Sequence, residues 1–526
     1  MNTGGVAASE HPLASQAGAS ILARGGNAVD AAIAVNAVMT VVAPMMNGIG
    51  GDLFAIVFDA ATSTLHGING SGYSPADLSI DALRRAGITT MPQSGIHSVT
   101  VPGTVAAWSR LSEQLGRLPL SDVLSPAIQI ADAGFPVPEI TALEWASAEG
   151  LLQAHAEAAR VYLPEGRAPA AGEVFRNPDL AATYRALACE GRDVFYRGDV
   201  ARRIIACSRQ HGGTLRPADL ETYDAEFVVP LSTSYRGWTI YELPPNGQGI
   251  AALMMLNILE QSPIGSYGHN STEALHTLIE AKKLAYADMA KHVCDPAFGE
   301  VPVSALVSKE YAAQRAREID PARANPDVPS GALPPKGDTT YLSVVDRDGS
   351  IVSLIQSNFA NFGSGLVPLG AGFVLQNRGG LFTLDPSQAN ALEPRKRPLH
   401  TIIPGFVAGD NVRIAFGIMG GWNQAQAHAQ FVSNIVDHGM NVQAALEAAR
   451  VTKLTFGGCD VIAESRVPAS SRAGLEEKGH EIEVVGAFSS LVGGGQAVMR
   501  NLASGVNSGA SDPRKDGAAI PEPFLP

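Results

Sequence analysis

"KGDTTYLSVVDRDGSIVSLIQS", Lys336 to Ser357, decides how this chain is read. It closes a loose, proline-spotted run and opens as a strand, a turn at Arg347-Asp348-Gly349 and a second strand. Thr339 and Thr340 stand at the junction. A threonine at a chain N-terminus carries its own base, because its α-amine lies close enough to take the hydroxyl proton. Inside a chain that amine is locked in a peptide bond and becomes available only when the preceding bond is cut. A threonine that ends a flexible linker and begins a core strand suits that chemistry, since the strand fixes the hydroxyl and the linker can withdraw. Threonine is also an ordinary strand opener, so the junction alone leaves both readings open.

Working outward, "DPARANPDVPSGALPPKGD", residues 320–338, holds five prolines and reads as the linker. Downstream, "GGLFTL", "HTIIPGFVA" and "VRIAFGIMGG" read as strands and "NQAQAHAQFVSNIVDHG" as a helix. Upstream, residues 6–24 read as a short strand and a helix with Ala14, Ala17, Ile21 and Leu22 on one stripe. Asn27 caps a second helix, apolar nearly all round and therefore deep in the core, which Pro44 stops. The glycines of "NGIGGDLFAIVFD" lead into a strand, so they offer no helix N-terminus to a pyrophosphate and indicate close backbone packing instead. Between 100 and 320 helices alternate with short strands, "GTVAAWSRLSEQLG" and "STEALHTLIEAKKLAYADMAKHV" being helical by apolar spacing.

Across 526 residues, 45% hydrophobic and 17% charged content describe a compact protein with a sizeable core. A net charge of −13 argues against nucleic acid or an anionic membrane as partner, although one local arginine could still hold a small acidic substrate. Cys189, Cys207, Cys294 and Cys459 are far apart without CxxC spacing, which argues against structural zinc and a disulfide framework. The histidines are scattered, so no metal and no cofactor is expected. The N-terminus lacks the basic and apolar regions of a signal peptide and no long apolar run appears, so the expected compartment is the cytoplasm.

"TTYLSVVDRDGSIVS" resembles the autoprocessing junction of the γ-glutamyltransferase family, and "HPLASQAGASILARGGNAVDAAIAVNAV", "GIGGDLF", "VPGTVAAW", "KRPLHTIIP" and "GASDPRKDG" resemble further blocks of that family in the same order. The resemblance implies an α+β fold, the four-layer αββα sandwich of the N-terminal-nucleophile hydrolases. It implies self-cleavage between Asp338 and Thr339 into a large subunit, 1–338, and a small subunit, 339–526, that remain one domain, and it is compatible with a dimer of heterodimers. Thr339 would be the nucleophile and its freed amine the base. Ser357 matches a family threonine whose hydroxyl bonds that amine, and Gly420 and Gly421 match the oxyanion-hole glycines, a role that suits residues whose backbone can come close.

The chain departs from the family pattern where a glutamyl group is gripped. Ile80 or a neighbour falls where an arginine holds the α-carboxylate, while Arg84 and Arg85 look like an ordinary helix face. Leu381 replaces the aspartate that holds the α-amine, His400 and Thr401 replace paired serines, and Phe359 replaces an asparagine, with Asn358 adjacent. A zwitterion would lose the partners of both charges, at a cost of several kcal/mol in a desolvated pocket. Arg378 stands where the family has a neutral glutamine and could hold a carboxylate, or pair with a nearby acid; His400 could line the pocket or be a hydrogen-bonded structural histidine. These residues imply a substrate-binding set of Asn358, Phe359, Arg378, His400 and Thr401 and a small acidic amide as substrate. The pattern looks most like the oxamate amidohydrolase branch. The alternatives are a γ-glutamyl or cephalosporin-acylase-like enzyme with a rearranged pocket, and an uncleaved scaffold homologue.

Overall fold

In a computed structural model the protein is described over residues 1–328 and 338–523. Residues 329–337 of the expected linker lie outside the described residues. Two antiparallel sheets carry the architecture. One runs Ala518–Pro521, Val6–Ser9, Asp338–Val345, Ile351–Phe359, Asp52–Asp59, Thr64–Gly70, Glu226–Val228. The other runs Asn507–Ser511, Gly495–Asn501, Val412–Ile418, Gly405–Ala408, Trp238–Glu242, Leu231–Tyr235.

The side-chain period of two sorts each central strand between layers. In Ile351–Phe359, Val352 and Leu354 join a core shared with helices Pro12–Ala23, Ala28–Val42 and Thr104–Leu115, whereas Ile351 and Ile355 face the second sheet with Phe406, Ala415 and Val498. In Val412–Ile418 the outer residues Ile414, Phe416 and Ile418 pack under helices Gly249–Leu259, Thr272–His292 and Gln424–Val436. Helix, sheet, sheet and helix therefore make four layers with three apolar interfaces, which is the α+β N-terminal-nucleophile hydrolase sandwich. Every residue of Ala28–Val42 is buried, and its Asn27 cap forms a capping box with Asp30.

Of two expected strands, one is absent among the described residues and the other is shortened. "GGLFTL" instead contains a single turn of 3-10 helix, Arg378–Leu381. "HTIIPGFVA" enters the sheet only at Gly405. Both stretches are apolar enough for a strand, but their backbone groups are taken by turns and loops: Gly380 N–H donates to Asn377 O at 2.9 Å, Thr383 N–H to Asn390 O at 3.2 Å, and His400 N–H to Asn246 O at 2.8 Å, while the residues just before the first stretch, Gln376 and Asn377, donate to Gly50 O and Asn358 O. Asp338 belongs to the strand and not to the linker.

Candidate active site

Thr339 and Thr340 point to opposite faces of one strand. Thr339 shares the inter-sheet face with Tyr341, while Thr340 is paired with Gln356, whose amide reaches Asn36 and Thr104 in the helical layer. The chain thus presents one of the two hydroxyls to the space between the sheets. Opposite Thr339 the partner strand is irregular: Gln356 pairs with Thr340 and Phe359 with Asp338, so Ser357 and Asn358 together face Thr339 across a bulge. Such a bulge re-aims side chains, and here Thr339 Oγ1 donates to Ser357 Oγ at 3.4 Å, with both residues fully buried. Ser357 Oγ in turn accepts the Phe359 N–H at 2.7 Å. Phe359 has φ 78°, a backbone region that costs a bulky residue roughly 1–3 kcal/mol and is retained mainly where the surroundings impose it.

Arg378 is reached through Phe359. Its guanidinium carbon lies 4.8 Å from the centre of the Phe359 ring. Arg378 Nη1 donates to Thr401 Oγ1 at 2.7 Å, and Nε approaches Asp52 Oδ2 at 3.4 Å. Arg378 is fully buried, and its Nη2 has no hydrogen-bond partner among the described residues. Burial lowers the guanidinium pKa to about 10 against the pull of Asp52, so it stays charged at neutral pH.

Asp52 accepts hydrogen bonds from three sides and faces the Arg378 charge on the fourth. Gly72 N–H (3.0 Å) and Gln376 Nε2 (2.8 Å) reach Oδ1, and His400 Nε2 (2.8 Å) and Arg378 reach Oδ2. His400 is therefore a structural partner of Asp52. Burial, aided by the Arg378 charge, lowers its pKa to about 4, so it is neutral at pH 7 and donates through Nε2. Because the folded value lies below the ordinary 6.5, the unfolded chain binds this proton first as pH falls. The His400 contribution to stability is accordingly complete above about pH 6.5 and is lost as pH falls towards about 4. Urea unfolding of wild type and His400→Gln across this range should show the wild-type stability falling more steeply with acid than the variant's.

The second sheet supplies the other wall. A Cβ at Gly417 would lie 2.3 Å from the Tyr341 ring, so the strand Val412–Ile418 crosses directly over the Thr339 strand. Just beyond it the chain turns through Gly420 and Gly421, at φ 118° and 58°. Among the described residues neither gives its N–H to a backbone acceptor, as an oxyanion site requires. The Gly420 conformation excludes other residues, and an added Cβ would sit 3.3 Å from Asn423. Gly420→Ala should cost about 1–3 kcal/mol of stability by backbone strain and lower kcat about 10²-fold with little change in KM, as read by denaturant titration and steady-state kinetics.

The "GIGGD" loop binds these parts together. A Cβ at Gly50 would lie 2.1 Å from Val374 O, and one at Gly51 would lie 2.4 Å from Ser357 O, so both glycines serve close backbone approach. Asn358 packs on this loop, its Nδ2 3.5 Å from Pro44 O. Leu381 is fully buried beyond Arg378.

The chain is similar to several known proteins. The gamma-glutamyltranspeptidase family profile matches residues 14–522. The chain belongs to that family. A glutathione hydrolase-like YwrD proenzyme of Bacillus subtilis (strain 168) is 39% identical over 97% of this chain and 97% of its own length. The oxamate amidohydrolase proenzyme of Klebsiella pneumoniae subsp. pneumoniae is 35% identical over 99% and 98%. The crystal structure of a cephalosporin acylase from Bacillus halodurans superposes with TM-score 0.93 at 41% identity, covering 99% of this chain and 96% of the other. As a gamma-glutamyltranspeptidase family member the chain is an amide-bond hydrolase.

Several residues of the site do not stand out in the sequence. Asp52, the hub of the Arg378 and His400 contacts, sits inside the quoted "GIGGDLF" but looks like a strand opener. Glu10 Oε1 accepts the Tyr341 N–H at 2.9 Å, two residues past Thr339, and burial pushes its carboxyl up to about 8, so it is protonated at neutral pH. Gln248 and Tyr286, described below, carry no motif signal. Scattered in sequence, the histidines are not all scattered in space: His276 Nδ1 and His480 Nε2 meet at 2.9 Å beside Glu280, whose Oε1 is taken by Lys283 Nζ at 2.7 Å. Among the described residues no helix is long and apolar enough to cross a membrane.

Proposed function

We propose that the protein is a self-processing N-terminal threonine amidohydrolase. Cleavage between Asp338 and Thr339 frees the Thr339 amine, which then serves as base for its own hydroxyl. Ser357 Oγ, already 3.4 Å from Thr339 Oγ1, orients the pair. Thr339 Oγ attacks the amide carbon, the amine takes the hydroxyl proton and passes it to the departing nitrogen, and the N–H groups of Gly420 and Gly421 hold the oxyanion. Water then splits the Thr339 ester.

The substrate proposed is a small amide bearing a carboxylate, with oxamate as the first choice, giving oxalate and ammonia through an oxalyl-Thr339 ester. The observation that carries this reading is the buried Arg378, whose Nη2 lacks a partner and whose contacts run through Phe359 to Ser357 and Thr339. The carboxylate beside it, Asp52, is already satisfied, so a substrate ammonium finds no acid there. Phe359 and Leu381 occupy space that a longer glutamyl chain would need.

A second reading, hydrolysis of γ-glutamyl or acyl-cephalosporin amides, is favoured by the 39% identical glutathione hydrolase-like relative and the 41% identical cephalosporin acylase. Ammonia release from oxamate, with no turnover of a γ-glutamyl anilide, supports the first reading. The opposite pattern overturns it.

A further inference from the structure

Gln248 lies outside every motif of the chain, at the start of the helix Gly249–Leu259, and is fully buried. Its side-chain amide joins two places that the reaction must keep at a set distance. Gln248 Nε2 donates to Gly421 O at 2.8 Å, and also to Thr401 O. Thr401 Oγ1 is the acceptor for Arg378 Nη1 at 2.7 Å. Gln248 Oε1 accepts from the Tyr286 hydroxyl at 3.0 Å, and that hydroxyl lies 2.7 Å from Trp422 O. Lys282 Nζ reaches the same Trp422 carbonyl at 3.1 Å. The backbone beside Gln248 is tied down as well, its own N–H donating to His400 O at 2.9 Å.

A peptide plane is rigid, so the Gly420 N–H turns with Met419 O and the Gly421 N–H with Gly420 O; glycine has no side chain to brace these planes, so their aim depends on those carbonyls and on how the chain just beyond is held. Gly420 O, in the plane of the Gly421 N–H, accepts from Asn423 N–H at 3.0 Å, and Met419 O, in the plane of the Gly420 N–H, accepts from Asn423 Nδ2 at 3.4 Å; just beyond, Gly421 O is held by Gln248, and Trp422 O by Lys282 and the Tyr286 hydroxyl. One amide group therefore ties the chain immediately past the oxyanion donors to the Thr401 arm that carries Arg378.

We infer that Gln248 is a positioning residue that sets the distance between the carboxylate anchor and the oxyanion donors, and with it the length of acid amide that reacts. This rests on the roles proposed above for Thr339, Gly420, Gly421 and Arg378. A two-carbon amide places its carboxylate and its reacting carbonyl on adjacent atoms, so a small shift between the two anchors misplaces one of them, and a misplacement of about 1 Å costs roughly 10²-fold in rate.

The test uses the processed full-length enzyme and its Gln248→Met and Tyr286→Phe variants. Gln248→Met keeps the length of the side chain and removes its donors and acceptor; Tyr286→Phe removes only the hydroxyl. Two bands on a denaturing gel verify that each variant folds and cleaves itself. Ammonia release is followed with oxamate and with the longer succinamate, and binding of propylboronic acid, whose tetrahedral Thr339 adduct occupies the oxyanion site, is titrated alongside. For Gln248→Met, kcat on oxamate should fall about 10²-fold, the oxamate-to-succinamate ratio of kcat/KM about tenfold or more, and boronic acid affinity about tenfold. Tyr286→Phe should move each quantity less, in the same direction. Unchanged boronic acid affinity and an unchanged substrate ratio in the processed variants overturn the inference, whatever happens to total activity. If wild type does not turn over oxamate, the substrate reading fails and the boronic acid arm still decides the role of Gln248. Boronic acid binding or turnover that survives Thr339→Ala overturns the underlying assignment of the nucleophile.

Discussion

Replacing Thr339 with alanine should leave one uncut band of 526 residues on a denaturing gel and reduce turnover by roughly 10⁴-fold or more. Both effects come from one atom. The Thr339 hydroxyl would attack the preceding carbonyl during self-cleavage and the substrate carbonyl afterwards, so no separate residue can rescue either step. The packing predicts that the variant still folds. Thr339 contributes a small side chain at a strand end, while the strand is held by Val6–Ser9 on one side and Ile351–Phe359 on the other. Thr339→Ser should restore processing at a reduced rate, because serine keeps the oxygen and loses only the methyl that limits its rotamers. A Thr339→Ala protein that is nevertheless found as two fragments, 1–338 and 339–526, would sink the mechanism. An intact, active wild-type chain would sink it equally.

Arg378→Met should lower kcat/KM on carboxylate-bearing amides by about 10² to 10³-fold, the usual consequence of removing one partner of a buried charge pair. The effect should appear mainly as weaker binding, since the carboxylate is not the reacting group. A neutral amide of the same size should lose far less, so measuring the two side by side separates recognition from general damage. Stability should fall too, by up to about 3–5 kcal/mol, because buried Asp52 loses its guanidinium partner, while its hydrogen bonds from Gly72 N–H, Gln376 and His400 remain. Arg378→Lys should recover only part of the loss, because a lysine cannot bond Thr401 and present a second planar donor at once. Equal losses on charged and neutral amides would show Arg378 to be structural, the buried partner of Asp52 and no more.

Much of the architecture is legible in the sequence because it depends on periodicity and on short-range chemistry. Asn27 followed by a largely apolar run specifies a capped, wholly buried helix, and the alternation on either side of Arg347-Asp348-Gly349 specifies a hairpin. Both form as expected. The segments that depart are those whose apolar content is high but whose backbone is claimed by distant loops. Arg378–Leu381 becomes a helical turn because the preceding residues bond Gly50 and Asn358. Nothing local to "RGGLF" encodes that.

The site divides along the same line. Residue type and local pattern are enough to show that a threonine stands where a linker meets a core strand and that a glycine pair follows a strand; the family resemblance adds that an arginine stands where a glutamine is usual. The folded arrangement is needed to show that Thr339 and not Thr340 faces Ser357, that Asp52 gathers Arg378 and His400, and that Gln248 joins Thr401 to Gly421. Those contacts link residues 18 to 348 positions apart, and their geometry depends on a bulge, a sheet-on-sheet crossing and the packing of buried polar groups. No period in the chain records these features, because each exists only when the layers close on one another.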